Sequence, residues 1–461
     1  MRILCNLPLE CFDDRAAMPG IDLLTYGPAG RMQVDGVHFP FDVACDPSRE
    51  SWQDLLARLP HGWRPDLVLV YWPDQEPLPA GLEQCAVPVV GVVSDYNLSL
   101  PQLAGLWPFF DLLLCDRAGV ALFERLSFTA VRYWNQYAHK RPFHRLLAPI
   151  GDRPLDLGFA GNLNPVVQAE RAPWLQRLAR LQHAGVQVAL RSGVVGDDYA
   201  RFLNQCRIGW NRSIRGELNL RAFEVPACGA LLLLERSNLE VADFFVPGEE
   251  CVLYDDDLEA VVLELLGNPN RLARIAAAGH RRVQDHRLGP RLGQLATSLA
   301  SLPVQRPAST PFERALGRAT AMLLTWATPA AKLAAALQAH QQDPSDPRAL
   351  NLLGVASLHA GTPAAAVAAA RLWQTAAASH PGYLPAAVNL RSLARAAGDP
   401  GLLQRAETEV WRRSAVSAWQ ELDGAVAPIG YDRSSIGRSQ ALREAVLAGS
   451  PQAYASCLVT G

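Results

Sequence analysis

Between residues 207 and 234 the chain reads Arg-Ile-Gly-Trp-Asn-Arg-Ser-Ile-Arg-Gly-Glu-Leu-Asn-Leu-Arg-Ala-Phe-Glu-Val-Pro-Ala-Cys-Gly-Ala-Leu-Leu-Leu-Leu. This pattern is a strand, a loop, a helix, a glycine stop and a second strand. A helix beginning near Glu217 offers free backbone N–H groups and a positive dipole end, which together suit a diphosphate. Arg212, Arg215 and Arg221 fall at that same end. Asn219 stands where it can cap or hold the helix entrance. Arg221 and Glu224, at i and i+3, share a side facing the loop, and a carboxylate there can accept both hydroxyls of a ribose. The chemistry expected of these residues is the holding of a diphosphate by arginines and a helix end. No metal is implied: no Asp-x-Asp occurs in a strand–loop context, and Asp255-Asp256-Asp257 opens a helix, where acidic residues suit the dipole.

The elements that must position these residues emerge from composition and periodicity. A chain of 461 residues calls for about three units at roughly 150 residues each. A hydrophobic share of 49% with 19% charged residues describes folded domains. The formal charge of −2 supplies no field to gather nucleic acid or anionic membrane. Nine scattered cysteines form no Cys-x-x-Cys pair, which points away from zinc and disulfides and toward a reducing, cytoplasmic setting. Acidic residues at Glu10, Asp13 and Asp14 interrupt any export signal, and no uninterrupted apolar run is long enough to span a membrane.

From residue 1 to 150, short apolar runs (Arg2 to Leu4, Leu67 to Tyr71, Val87 to Val93, Leu112 to Cys115, Ala130 to Tyr133) alternate with helical spacing. Residues 151 to 301 repeat that texture, so the expected fold class is α/β with two tandem Rossmann-like domains. A Pro-rich linker at 302–312 then leads into an Ala- and Leu-rich, all-α repeat-like region at 313–461. There Thr328-Pro329-Ala330-Ala331 recurs as Thr362-Pro363-Ala364-Ala365, a spacing of 34 residues. That is the period of tetratricopeptide helix pairs; a plain helical bundle is the alternative.

The stretch Asn219-x-Arg221-x-Phe223-Glu224-x-x-Ala227-Cys228-Gly229 resembles the nucleotide-sugar-binding motif of the CgeB-like (spore-maturation-protein-like) glycosyltransferases, a family of the two-Rossmann GT-B class. Leu157-Gly158-Phe159-Ala160-Gly161-Asn162 is similar to the first strand and glycine loop of that family's donor domain, with Arg171 in the helix that follows. Phe244 to Tyr254, Ile275 to Gly279, His286 and Arg291 resemble its closing pattern. The resemblance implies a nucleotide-sugar donor bound by residues 151–301, with Gly158, Gly161 and Asn162 near the ligand, and an acceptor domain at 1–150. Three features depart from the pattern, the first being Asn6-Leu7-Pro8 where a Gly-Gly loop would follow the first strand. Glu217 is one residue away from the first position of a Glu-x7-Glu pair, and Pro226 lies inside the expected helix, where it should kink it.

The activity this implies is transfer of a sugar from a nucleoside-diphosphate sugar, without cofactor, to an acceptor such as a protein or peptide docked by the helical region. An inverting reaction needs a base on the N-terminal half within reach of the acceptor. Asp95, on the loop after Val89 to Val93, is the leading candidate, ahead of Asp14, His38, His139 and His144. The rival reading is a catalytically inactive scaffold whose helical array binds a protein partner; a sugar-nucleotide epimerase is a third.

Overall fold

The computed structural model describes residues 1–406 except 19, 97–102, 104, 127, 129, 164–170, 324 and 381–382. The part of the expected helical region beyond residue 406 lies outside the described residues.

The strands in chain order are β1 (Arg2–Cys5), β2 (Asp22–Gly27), β3 (Arg31–Val34), β4 (Val37–Pro40), β5 (Val43–Ala44), β6 (Leu67–Tyr71), β7 (Val89–Val92), β8 (Leu112–Cys115) and β9 (Val131–Tyr133). They continue as β10 (Leu155–Ala160), β11 (Val188–Arg191), β12 (Cys206–Trp210), β13 (Leu231–Glu235) and β14 (Val252–Tyr254). A seven-stranded sheet has the order β5-β2-β1-β6-β7-β8-β9, and a five-stranded sheet the order β11-β10-β12-β13-β14. The two sheets and the helical region that follows them make the fold class the one expected. The antiparallel hairpin β3–β4, with Asp35 and Gly36 at its tip, is an element the apolar runs did not announce.

By internal packing the chain forms two compact units: Met1–Ala44, Leu114–Ala121 and Arg132–Leu302 in the first; Cys45–Leu113, Leu122–Val131 and Pro303 onward in the second. In the first unit the five-stranded sheet is parallel throughout its defined pairings and carries a core on each face. The run Leu231 to Leu234 shows why. Leu231 and Leu233 join Ile208, Trp210 and Tyr254 on one side, whereas Leu232 and Leu234 join Phe202, Phe223 and Val225 on the other. A strand buried on both faces alternates its side chains between two cores, so its sequence is an unbroken apolar run.

In the second unit, β6 and β7 pair in parallel, Val68 opposite Val89. The Pro-rich segment is pinned by Arg306, whose guanidinium donates to the carbonyls of Glu83, Cys85 and Val87 and pairs with Asp111 at 3.0 Å. Helices follow at Pro311–Met322, Pro329–Gln342, Pro347–Leu358, Pro363–Ser379 and Leu384–Ala397, sharing one core around Trp373. The recurring Thr-Pro-Ala-Ala is a helix start: Thr328 and Thr362 accept from the N–H groups of Ala331 and Ala365, and proline occupies the next position. Gly354 leaves room for the Trp373 indole, which a Cβ would approach to 2.8 Å at Cε2.

Candidate functional site

β10, β12 and β13 are neighbours and parallel, so the residues after their C-terminal ends share one rim of the sheet, where open α/β sheets bind ligands. Arg221 reaches this rim from the first turn of the helix Leu220–Ala227. Its Nε donates to the Ala160 carbonyl at 3.0 Å and its Nη1 to Asn211 Oδ1 at 3.0 Å, with the guanidinium 4.3 Å from the Phe159 ring centroid. Gly161 permits this approach, because a Cβ there would stand 3.3 Å from Arg221 Cζ and 3.1 Å from the Phe159 ring. Gly158, by contrast, serves packing within the strand: a Cβ would meet Phe202 at 3.1 Å.

Two further arginines converge. Arg171 donates to the carbonyls of Asn162 (3.3 Å) and Arg212 (3.0 Å). Burial pulls the Arg171 pKa down to about 10, and the charge of Arg221 adds to that. Arg212 lies 4.4 Å from the centroid of Trp174. Around these groups several buried polar atoms have no partner among the described residues: donors at Arg171 Nε, Arg212 Nε and Asn211 Nδ2, and acceptors at Asn219 Oδ1 and Glu235 Oε2. Buried polar atoms are ordinarily satisfied, so such a collection marks a place where something else supplies the bonds.

The helix differs from the expected one in three respects. It begins at Leu220 rather than near Glu217, because residues 213–219 are held as a loop by a left-handed glycine and by carboxylates from farther along the chain. Gly216 sits at φ 82°, Glu235 accepts from the Ser213 N–H, and Glu240 accepts from the Leu218 N–H. Asn219 is the N-cap residue, but its side chain makes no cap bond. The expected kink at Pro226 has no helix left to act on, since the helix ends one residue later at Ala227.

Arg215 turns into the protein. Its Nε lies 3.3 Å from Asp116 and 4.0 Å from Glu217, and its side chain is 2% exposed. Burial pushes the Glu217 carboxyl up, while Arg215 and the Arg215 N–H, which donates to it at 2.8 Å, pull it back. Glu217 thus balances charge within the loop.

Glu224 and Arg221 do not face the same partners. The Glu224 carboxylate is 6% exposed and meets Tyr199, Lys140 and His144, with His144 Nε2 3.8 Å from Oε1. Lys140 pairs with Asp35 at the hairpin tip. Burial opposes the Lys140 charge, but Glu224 and Asp35 outweigh it and hold its pKa above the ordinary lysine range.

Asp95 belongs to the second unit and is considered there by itself. It accepts from Gln75 Nε2 at 3.1 Å. Asp74 is 1% exposed, and burial, followed by the charge of Asp95, pushes its carboxyl up to about 7. Asp74 and Asp95 each stand three residues past the end of adjacent parallel strands, β6 and β7, and so share a rim of that sheet. Among the other candidate bases, Asp14 has an 80% exposed side chain and His38 is exposed, while burial holds His139 down to about 4. His286 packs on Phe244 at 5.0 Å and bonds its carbonyl at 2.8 Å, a closing contact of the domain.

The residue reading placed neither Arg171 nor Lys140 and Tyr199 in the site. For Arg171 the resemblance was the available signal. For Lys140 and Tyr199 none exists, because they reach Glu224 from distant parts of the chain. Asp74 was missed as well, although a signal existed: it follows the apolar run Leu67 to Tyr71 much as Asp95 follows the next strand.

Residues 141–297 match a family model described as glycosyl transferase-like. No protein with a curated description matches the sequence. Among solved structures the chain is similar to sucrose-phosphate synthase from Thermosynechococcus elongatus, at 11% identity and a TM-score of 0.40, over 65% of this chain and 98% of that one. It is also similar to Anabaena HepE in complex with UDP, at 13% identity and a TM-score of 0.41, over 66% and 100%. A third is the pneumococcal O-GlcNAc transferase GtfA in complex with UDP and GlcNAc, at 14% identity and a TM-score of 0.33, over 51% and 56%.

Proposed function

We propose that the chain is a glycosyltransferase that takes a sugar from a nucleoside-diphosphate sugar bound at the rim of the five-stranded sheet. The observation that carries this reading is the convergence of Arg171, Arg212 and Arg221 beside buried donors that lack partners among the described residues, inside the stretch that matches the glycosyl transferase-like model. Donors gathered around aromatic rings suit a diphosphate whose charge grows as the glycosidic bond breaks. Guanidinium groups then neutralise that charge, with no metal required. Glu224, Asn219 and Glu235 are the acceptors for ribose and base. Gly161 and Asn162 bring backbone close to the phosphates, Gly158 and Arg215 support the frame, and the subfamily is the CgeB-like one.

Asp95 is the proposed base. It takes the proton of an acceptor hydroxyl as that oxygen bonds to the anomeric carbon and the sugar–phosphate bond breaks. The helix pairs from Pro329 onward, read as tetratricopeptide-like, are proposed to dock a protein or peptide acceptor, in a cytoplasmic enzyme. A thermal-shift series with UDP, GDP, CMP, dTDP and their sugars tests the donor assignment, because a ligand that binds the native state raises apparent stability. A rise with one nucleotide in the wild type, lost in Glu224→Ala, is the expected result. Absence of a rise with every nucleotide favours the inactive scaffold.

A further inference from the structure

Glu224 is surrounded by groups that can only donate to it. His144 is 4% exposed, and its Nδ1 accepts the backbone N–H of Lys140 at 3.1 Å. An imidazole whose Nδ1 accepts must, when neutral, carry its proton on Nε2. Burial favours that neutral form and lowers the His144 pKa, although the Glu224 charge opposes the shift. The buried Nε2 has no acceptor within hydrogen-bonding distance among the described residues, and Glu224 Oε1 lies 3.8 Å from it. The Tyr199 ring meets the imidazole edge-on at 5.6 Å, and its hydroxyl contacts the same carboxylate. Lys140 supplies the opposite charge and is fixed by Asp35, a non-glycine residue at φ 51° on the hairpin tip. The Asp35 carbonyl in turn abuts Gly196, where a Cβ would stand 2.6 Å from the oxygen.

We propose that Lys140 and His144 are positioning residues for Glu224, holding its carboxylate turned so that its remaining lone pairs accept the two hydroxyls of a ribose. His144 closes its short gap to Oε1 when the carboxylate swings toward the ligand. The substrate feature recognised is a vicinal diol, and the clamp rests on the reading of Glu224 as the ribose contact.

The test uses the full-length protein and calorimetry with UDP, GDP and ADP, followed by the 2′,3′-dideoxy counterpart of whichever binds best. His144→Phe removes the Nε2–H, and His144→Gln keeps an amide N–H near the same point. The expected result is about a tenfold loss of affinity for the ribonucleotide in His144→Phe, the size of one hydrogen bond to a charged group. Affinity for the dideoxy compound stays unchanged, and His144→Gln recovers most of the loss. Lys140→Met shows the same selectivity for the ribonucleotide. Equal losses for both compounds, or none for either, overturn the clamp, since a purely structural role does not distinguish a ribose from a dideoxyribose. Should His144→Phe fail to fold, His144→Gln and Lys140→Met carry the comparison. A wild type that binds no nucleoside diphosphate, or binds ribo and dideoxy forms alike, refutes the donor-site reading itself and the clamp with it.

Discussion

Replacing Asp74 by asparagine should make the protein more stable at neutral and alkaline pH and change the pH dependence of its stability. The Asp74 carboxyl is buried in the second unit, and burial together with the charge of Asp95 moves its pKa from 3.8 to about 7. The folded state therefore keeps this proton through a range in which the unfolded chain has lost it. Where the native state binds more protons, stability falls as pH rises. The contribution is fully present below the unfolded pKa, declines from there to the folded pKa, and is flat above. The separation corresponds to on the order of 4 kcal/mol at about 1.36 kcal/mol per pH unit. An asparagine cannot ionise and lacks this slope. Urea denaturation of wild type and Asp74→Asn at several values between about pH 4.5 and 8 reads the difference. It should grow in favour of the variant up to about pH 7 and then level off. Glu76 is also pushed up to about 7, by burial and by the Asp74 charge, so Asp74→Asn lowers the Glu76 pKa as well and adds to the difference in the same direction. Asp95→Asn should shift the wild-type decline to lower pH, because it removes the second cause. A stability difference between Asp74→Asn and wild type that is the same at every pH would refute the reasoning.

Other expectations concern packing and chemistry. Gly317 lies inside the helix Pro311–Met322, where alanine would ordinarily add about 1 kcal/mol. Here a Cβ would overlap the backbone of Gly105, so Gly317→Ala should instead lower stability by about 1–3 kcal/mol, measured by urea unfolding. Trp373 is fully buried and donates from Nε1 to the Asn351 carbonyl at 3.1 Å. Trp373→Ala should cost about 3–5 kcal/mol in the helical region, visible as an earlier thermal transition. Glu224→Gln should abolish release of nucleoside diphosphate from the bound sugar nucleotide while leaving the melting temperature within a few degrees. A variant that turns over at the wild-type rate removes Glu224 from the site.

Much of this architecture was written in local sequence. The runs Leu67 to Tyr71 and Leu231 to Leu234 are strands buried on both faces, and their continuous apolarity follows from that burial. Thr-Pro-Ala-Ala marked two helix starts because capping and proline geometry are local effects. The helix before Gly229 was also legible, although its first turn was assigned too early. Glu217 looks like a helix-opening residue until Arg215, itself paired with Asp116, and the N–H groups of Ile214 and Arg215 are seen to claim it. Partners from distant segments were not legible. Lys140, His144 and Tyr199 meet Glu224 through tertiary packing, and Asp35 enters by way of a hairpin whose strands are four residues each, too short for their alternation to announce them.

Arg171, Arg212 and Arg221 are proposed to seat the diphosphate. Calorimetric titration with a nucleoside, its monophosphate and its diphosphate, in wild type and in Arg171→Leu and Arg221→Leu, tests it most directly. Affinity should rise with each phosphate in the wild type, weaken with added salt, and lose most of that phosphate dependence in both variants. Equal affinity for nucleoside and diphosphate, or a phosphate dependence that survives in both variants, would contradict the assignment.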